Sequence, residues 1–435
     1  MSTPLRVGLQ RVPITPPVGI MQIGYFARTH GCEYVHDDLY ATALVLDDGQ
    51  TKLAWVTCDL LFLHAESVAR IRQEVAQRTD IPAEHIMLSC THTHSGPIPY
   101  AGPAQSERDH LYTNGLVYQI AGAVCAAWAR LEPAKLGFGR SQAHIGANRR
   151  EQRSDGQVVL GNNPAGPTDP EVGVLRIDRA DGSPLAALVN HACHAVALSA
   201  ANYGISADWP GAMRRTVEQA TGATCLFVQG GCADINPVGG PQAGYERVQQ
   251  LGQAAGGAAI QAWAESAPLP DPVTLGAALR PLALPLLGPL DAAGQPVMPV
   301  EQVAETRVRM PWADYVRARA ERFPWKAIIQ ESADGWHIAA EVQAFRIGDI
   351  AVAAAPVEPF VEIGLHIKDQ SALPKVVFAG YSNGLVGYLP TPSAYDIGGY
   401  EVDLSYIYYH LPAPLAPACA PLIEDTLTSL IRGLA

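Results

Sequence analysis

No two cysteines of this chain stand at a CxxC spacing, although it has eight: Cys32, Cys58, Cys90, Cys125, Cys193, Cys225, Cys232 and Cys419. A thiolate zinc ribbon is thereby excluded. Several of the eight lie inside apolar, strand-like runs, so buried thiols in a reducing compartment explain them better than disulfides. Basic residues are scarce too: 30 Lys and Arg against 42 Asp and Glu leave a formal net charge of -12. That balance argues against a nucleic-acid partner, which needs a basic face, and the scattered Lys and Arg form no polybasic patch for a membrane surface. No stretch approaches the ~20 consecutive apolar residues of a membrane-spanning helix. The N-terminus, Met1-Ser2-Thr3-Pro4-Leu5-Arg6-Val7, lacks the apolar segment that follows the basic start of a secretory leader, so a cytoplasmic location is expected.

What the chain does have is length and alternating structure. Its 435 residues suffice for one large or two ordinary domains. Residues 5–30 include Val12-Pro13-Ile14-Thr15-Pro16-Pro17, whose prolines predict a rigid extended segment outside any central strand. Strands are expected over 40–46 and 53–59, joined at Asp47-Asp48-Gly49, then a helix over 64–79 and a strand over 86–94. A helix over 110–131 follows, and Gly146-Ala147-Asn148-Arg149-Arg150 reads as a polar turn. Strands over 172–177, 185–192 and 224–229 alternate with helices over 208–220 and 244–264. Residues 266–300, dense in Pro, Gly and Leu, read as a crossover, too apolar for a flexible linker. A helix over 312–322, a hairpin at Gly348-Asp349, a helix to about 368, a strand over 376–381 and a helix over 422–434 complete the chain. The fold class is α/β with mixed sheets and flanking helices. The organisation is one domain over 1–435, with subregions 1–265 and 266–435.

The stretch that organises this pattern is Thr91-His92-Thr93-His94-Ser95-Gly96-Pro97. On a regular strand His92 and His94 would project from one face, their Cβ atoms about 7 Å apart, at the strand end where α/β sheets place their sites. A second histidine pair, His191 and His194, would point to opposite faces if its strand stayed regular, leaving one of them for the site. Asp208 falls near a helix N-cap, with Pro210 in the first turn. Gly230-Gly231 ends a strand where another group can approach the backbone closely.

Taken together, these pieces resemble the neutral, non-lysosomal ceramidase family in its N-terminal catalytic domain. The resemblance rests on Ile14-Thr15-Pro16-Pro17 with Gly24-Tyr25, THTHSGP at 91–97, Asn148-Arg149, the HACH run ending at His194, Ser206-Ala207-Asp208, ADINP at 233–237, Pro356-Val357-Glu358 and the 383–401 loop. It covers nearly the whole chain in the family's order. It implies one zinc ion (Zn2+) held by His92, His194, Glu358 and Tyr388, a set that suits zinc and leaves room to activate water near neutral pH. It further implies that His94 exchanges protons with the leaving group and that Tyr400 donates a hydrogen bond to the developing oxyanion. Asn148 and Arg149 would bind polar or anionic substrate groups, with Asp208 and Asp234 orienting ligands from behind.

Two departures shape the expectation. Asn236 stands where the family carries a serine in its GDxSPN run, and an amide holds a substrate group but is no nucleophile. The chain ends at Ala435, with no room for the family's C-terminal β-sandwich. Both point away from ceramide. The reading is therefore a zinc-dependent hydrolase that cleaves an amide bond of a small soluble substrate. Its rivals are an ester, lactone or glycoside hydrolase on the same metal, and a non-catalytic metal-binding or ligand-binding module. Neither nucleic acid nor membrane is an expected partner, and a homo-oligomer is compatible with the sequence.

Overall fold

The computed structural model describes residues 4–100, 105–288, 300–303, 306–309, 311–322, 328–333 and 335–435. Part of the expected crossover, 289–299, lies outside them. The larger sheet has nine strands. Along it run Thr224–Gln229, Pro184–His191, Glu171–Arg179, Glu132–Gln142, Arg6–Pro13, Tyr40–Asp47, Lys52–Cys58 and Ile86–Cys90, while Ala267–Pro268 pairs with Glu132–Gln142 off this path. A second sheet orders Leu275–Pro285, Gly335–Ile347, Ile350–Ala354 and Lys375–Ala379, with Ile329–Ser332 paired to Gly335–Ile347.

Most neighbours in these two sheets are antiparallel, but three of their pairs are parallel: Lys52–Cys58 with Ile86–Cys90, Pro184–His191 with Thr224–Gln229, and Ile350–Ala354 with Lys375–Ala379. A parallel pair needs a crossover, and here each is spanned by a helix, respectively Ala65–Ala76, Asp208–Thr221 and Val361–Gln370. Their sequences fit the task. Val68, Ile71 and Val75 form the buried stripe of the first helix, and Met213 and Val217 lie on that of the second, which ends at Gly222 in the left-handed conformation (φ 73°). Each of the three parallel units sends its carboxyl ends toward one place. Gln229 Nε2 donates to Thr91 O at 3.3 Å, Asn190 Nδ2 to Phe378 O at 3.0 Å, and the Cys90 amide to Tyr381 O at 3.1 Å. Three strand ends therefore meet at a common floor, which is where binding sites of α/β sheets form.

The core is apolar and close-packed, with Trp55, Trp209, Phe227, Phe345 and Phe378 fully buried, each worth roughly 1.5–3 kcal/mol or more of hydrophobic stabilisation. The cysteines are free thiols, buried except for half-buried Cys125. No described helix is long and apolar enough to cross a membrane.

Three expectations need correction. Arg6–Pro13 is an interior strand, paired with Tyr40–Asp47 along its whole length, because Pro13 is its last residue and its missing N–H falls where the ladder stops. The expected turn at 146–150 is the strand Gly146–Gln152, paired with Ile235–Pro237 and Val158–Asn163; Asn148, Arg149 and Arg150 are buried on it because each finds a partner. The last helix begins at Cys419.

Candidate metal centre

The strand that leads to the histidine pair stops at Cys90, four residues before His94. The Thr91 and His92 amides leave the ladder to bond Cys58 O and Leu60 O, each at 2.9 Å, and His92 takes a left-handed φ of 62°. Convergence of His92 and His94 thus comes from a backbone reversal and not from strand alternation, contrary to the expected regular strand. Their Nε2 atoms lie 3.3 Å apart.

His194 arrives from the neighbouring parallel unit. Past the end of Pro184–His191, its amide donates to Ile235 O at 3.0 Å, while His191 turns away and uses Nδ1 on Glu171 O at 2.9 Å. Asp208 secures this loop from below: its carboxylate accepts the amides of Ala197, Leu198 and Trp209 at 2.7–3.1 Å, and Trp209 Nε1 donates to His194 O at 2.9 Å. Glu358 comes from the third unit, where Glu358–Pro359 pairs in parallel with Tyr388–Leu389 and places Glu358 beside Tyr388.

Each of the three site histidines spends Nδ1 on a backbone carbonyl: His92 on Leu61, His94 on Gly24 and His194 on Cys232. A carbonyl only accepts, so Nδ1 carries the proton and Nε2 presents a lone pair inward. Glu358 Oε2 lies 3.2 Å from His92 Nε2 and 3.3 Å from His194 Nε2. His194 Nε2 and Glu358 Oε2 are nevertheless buried with no hydrogen bond. Ligand atoms from all three histidines fall within 4.8 Å of one another. Burial drives the pKa of His94 well below its ordinary value, reinforced by His92 and His194, and lowers that of His194 to about 4, with Arg149 adding to the effect. Burial alone would raise the Glu358 pKa, but His92 and His194 outweigh it and hold it well below the usual carboxylate range. Imidazole nitrogens, one carboxylate and orphaned polar atoms gathered at one point are what a divalent cation requires.

Around this cluster stands an aromatic cage. Tyr388 and Tyr400 line the cavity with ring centroids 5.7 Å apart, and the Arg149 guanidinium lies 5.8 and 5.6 Å from those rings. Arg149 Nη2 donates to the Tyr388 hydroxyl at 3.2 Å. Burial raises the pKa of both phenols, so both stay protonated at neutral pH. The cavity above has a volume of about 230 Å³, and Tyr25, Phe26, Phe62, Tyr100, Tyr408 and Tyr409 contribute to its walls.

Not every expected residue reaches that cavity. Asn148 is 3% exposed and fully engaged elsewhere, donating to Asp234 Oδ2 at 2.8 Å and Pro167 O at 3.2 Å and accepting the Arg150 amide at 3.0 Å. Asn236 accepts from Arg149 Nη1 at 3.3 Å, because its strand pairs with the strand that carries Arg149. Neither lines the cavity among the described residues, and Arg149 stands behind the tyrosines. Asp234 accepts the Val361 amide at 2.8 Å, three residues beyond Glu358, so Asp234 and Asp208 support ligand-bearing segments through backbone contacts and not through the ligand side chains.

The structure also brings in residues that no sequence motif marks. Glu401 is 1% exposed and bridges Arg149 Nε at 2.8 Å and Arg150 Nη1 at 2.6 Å. Tyr409 donates to Glu358 Oε1, fixing the carboxylate oxygen that does not face the histidines. Tyr381 lies against His92 with ring centroids 4.2 Å apart.

A mixed α/β scaffold that gathers three strand ends around such a cluster defines a hydrolase-type centre compatible with metal binding. The sequence pattern of the neutral/alkaline non-lysosomal ceramidase family, N-terminal part, matches residues 5–233. The chain belongs to that family. Neutral ceramidase of Pseudomonas aeruginosa is 23% identical over 475 residues, spanning 92% of this chain and 68% of that protein. The fold matches a ceramidase solved in complex with C2 at a TM-score of 0.77 and 19% identity, covering 99% of this chain and 75% of that one. It also matches the crystal structure of the P. aeruginosa neutral ceramidase at a TM-score of 0.76 and 20% identity, covering all of this chain and 75% of that one.

Proposed function

We propose that this protein is a zinc-dependent hydrolase that cleaves an amide bond of a small substrate. The observation that carries the reading is the spacing of the donor atoms. Zinc bonds of about 2.0–2.1 Å in a tetrahedron set ligand atoms roughly 3.3 Å apart, and Glu358 Oε2 lies 3.2 and 3.3 Å from the Nε2 atoms of His92 and His194. His92, His194 and Glu358 would hold the ion, with Tyr388 as the neighbouring oxygen donor. When bound, zinc supplies Lewis-acid activation of water and of the acyl carbonyl.

The chain's own groups do the rest. Among the cluster's histidines His92 and His94 border the cavity, and His94, only partly buried, is placed to take a proton from the attacking water at Nε2 and pass it to a leaving nitrogen. Tyr400, held protonated by burial, donates to the oxygen that gains charge. Arg149, kept in place by Glu401, orients Tyr388. The serine position of the family is Asn236, outside the cavity wall, so the acyl group never becomes attached to that residue. A volume of about 230 Å³ is below the ~300–1,000 Å³ of drug-sized pockets, which favours a small substrate over a two-chain lipid amide. The relatives' activity as ceramidases supports an amide as the bond cleaved.

A screen of small amides, esters, lactones and glycosides, run with and without chelator, tests this. Chelator-sensitive amide cleavage is expected. Turnover of another bond class alone would replace the amide assignment, and turnover indifferent to chelator would remove the metal.

A further inference from the structure

The cavity wall contains a buried cation that pairs with no carboxylate among the described residues. Arg28 is 6% exposed and lines the cavity beside His94. Its Nε donates to Asn202 O at 3.0 Å, and its Nη1 donates to Ile23 O at 3.0 Å and His94 O at 2.7 Å. All three acceptors are neutral carbonyls. Nη2 is buried with no hydrogen-bond partner, and no carboxylate pairs with Arg28 among the described residues. Arg149, Arg150 and Arg214, by contrast, each meet a buried carboxylate at 2.6–2.8 Å. Burial pushes the Arg28 pKa down, and the groups opposing this are the phenols of Tyr25, Tyr203 and Tyr245.

A second orphan lies in the same wall. Gln22 donates Nε2 to Ser95 O at 3.3 Å and Gly204 O at 3.1 Å, which leaves Oε1 buried without a partner. Both bonded atoms are carbonyls, so the amide cannot be turned round to relieve it. Two residues of the cavity wall therefore carry an unmatched cationic donor and an unmatched acceptor, both buried at the wall and not open to solvent. The carboxylates of the site are engaged elsewhere: Glu401 with Arg149 and Arg150, Glu358 with His92 and His194, and Asp208 and Asp234 with backbone amides. An uncompensated buried charge is costly, and a substrate anion that reaches it regains that cost as binding.

We propose that the substrate carries a carboxylate on the amine side of its scissile amide, received by Arg28, as in an N-acylated amino acid. The proposal rests on the amide-hydrolase reading. The amine side follows from His94: the residue placed to protonate the leaving nitrogen is the one whose own carbonyl Arg28 grips. Gln22 Oε1 accepts the N–H next to that carboxylate. In the reaction His94 Nε2 takes a proton from the attacking water, the water oxygen ends on the acyl carbon, the C–N bond breaks, and the nitrogen leaves as an amine carrying that same proton. The products are a carboxylic acid and a free amino acid.

Matched probes test it: N-acetyl-L-phenylalanine against N-acetyl-L-phenylalaninamide, with the same pairs built on leucine and glycine. The acids should be cleaved with kcat/KM about 10²-fold above the amides, in line with the loss on unpairing a buried charge. Arg28→Met should bring that ratio to within about threefold, and Arg28→Lys should keep part of it. Equal cleavage of acid and amide by the unaltered protein, or an unchanged ratio in Arg28→Met, overturns the proposal. Calorimetric titration of metal-free protein with the same pairs gives a readout without turnover. Acid binding at least about tenfold tighter supports the Arg28 role, whereas equal or absent binding overturns it. If the acids bind selectively but no pair is hydrolysed, the amide-hydrolase reading fails and the carboxylate receptor stands.

Discussion

Glu401→Gln is expected to destabilise the protein by about 3 kcal/mol, and Glu401→Ala by up to about 5 kcal/mol. The carboxylate is 1% exposed and receives Arg149 Nε at 2.8 Å and Arg150 Nη1 at 2.6 Å, so its removal strands two guanidiniums that are themselves almost fully buried. Glutamine keeps one acceptor oxygen for one of them; alanine keeps none, which sets the order of the two effects. Urea unfolding followed by tryptophan fluorescence reads the difference. With an m-value of about 3 kcal/mol/M, glutamine should move the midpoint down by roughly 1 M and alanine by more. The loss should reach the metal centre too, because Arg149 Nη2 holds the Tyr388 hydroxyl at 3.2 Å. Midpoint shifts below about 0.3 M in both variants would refute the view that one carboxylate neutralises this pair.

Tyr400→Phe should keep its metal and lower turnover by roughly 10²-fold, the usual cost of deleting one oxyanion donor; unchanged kcat would reduce the tyrosine to a packing role. His64 supplies a pH prediction, since burial, aided by His410, lowers its pKa to about 3 in the folded state. The folded value lies below the unfolded ~6.5, so the unfolded chain takes up the proton first; His64's contribution is complete above pH ~6.5 and is lost as pH falls toward 3, about 2 kcal/mol by pH 5. In His64→Phe, which keeps an aromatic ring beside Phe62 and Tyr100, the stability profile between pH 5 and 6.5 should be flatter by that amount. An identical profile would contradict the assignment.

The legibility of the sequence differed by kind of residue. His92, His94, His194, Glu358, Tyr388 and Tyr400 stand in runs whose order along the chain is informative, and the structure gathers all six around one floor and its cavity wall. The backbone reversal at His92 was not legible, because a left-handed φ at histidine leaves no compositional mark. Glu401 has no local pattern either: its partners Arg149 and Arg150 are about 250 positions away, and only the fold shows three polar side chains sharing one buried site. Asn148 illustrates the opposite error. A polar residue in a polar run suggests a place in the substrate cavity, yet strand pairing turns it away from the cavity beside the histidines and onto Asp234. Glu132–Gln142 carries too little apolar alternation to read as a strand. Its Gly139 explains why, since a Cβ there would lie 1.8 Å from Ala262 O, and glycine alone lets helix Tyr245–Ala264 lie this close.

The central claim is that His92, His194 and Glu358 converge in order to hold zinc. Elemental analysis of the purified protein, with His194→Ala prepared in parallel, addresses it directly. The account predicts about one zinc per chain, lost in the variant together with activity and part of the thermal stability. Protein free of metal after purification in zinc-supplemented medium, or a variant that keeps its full zinc content, would contradict it.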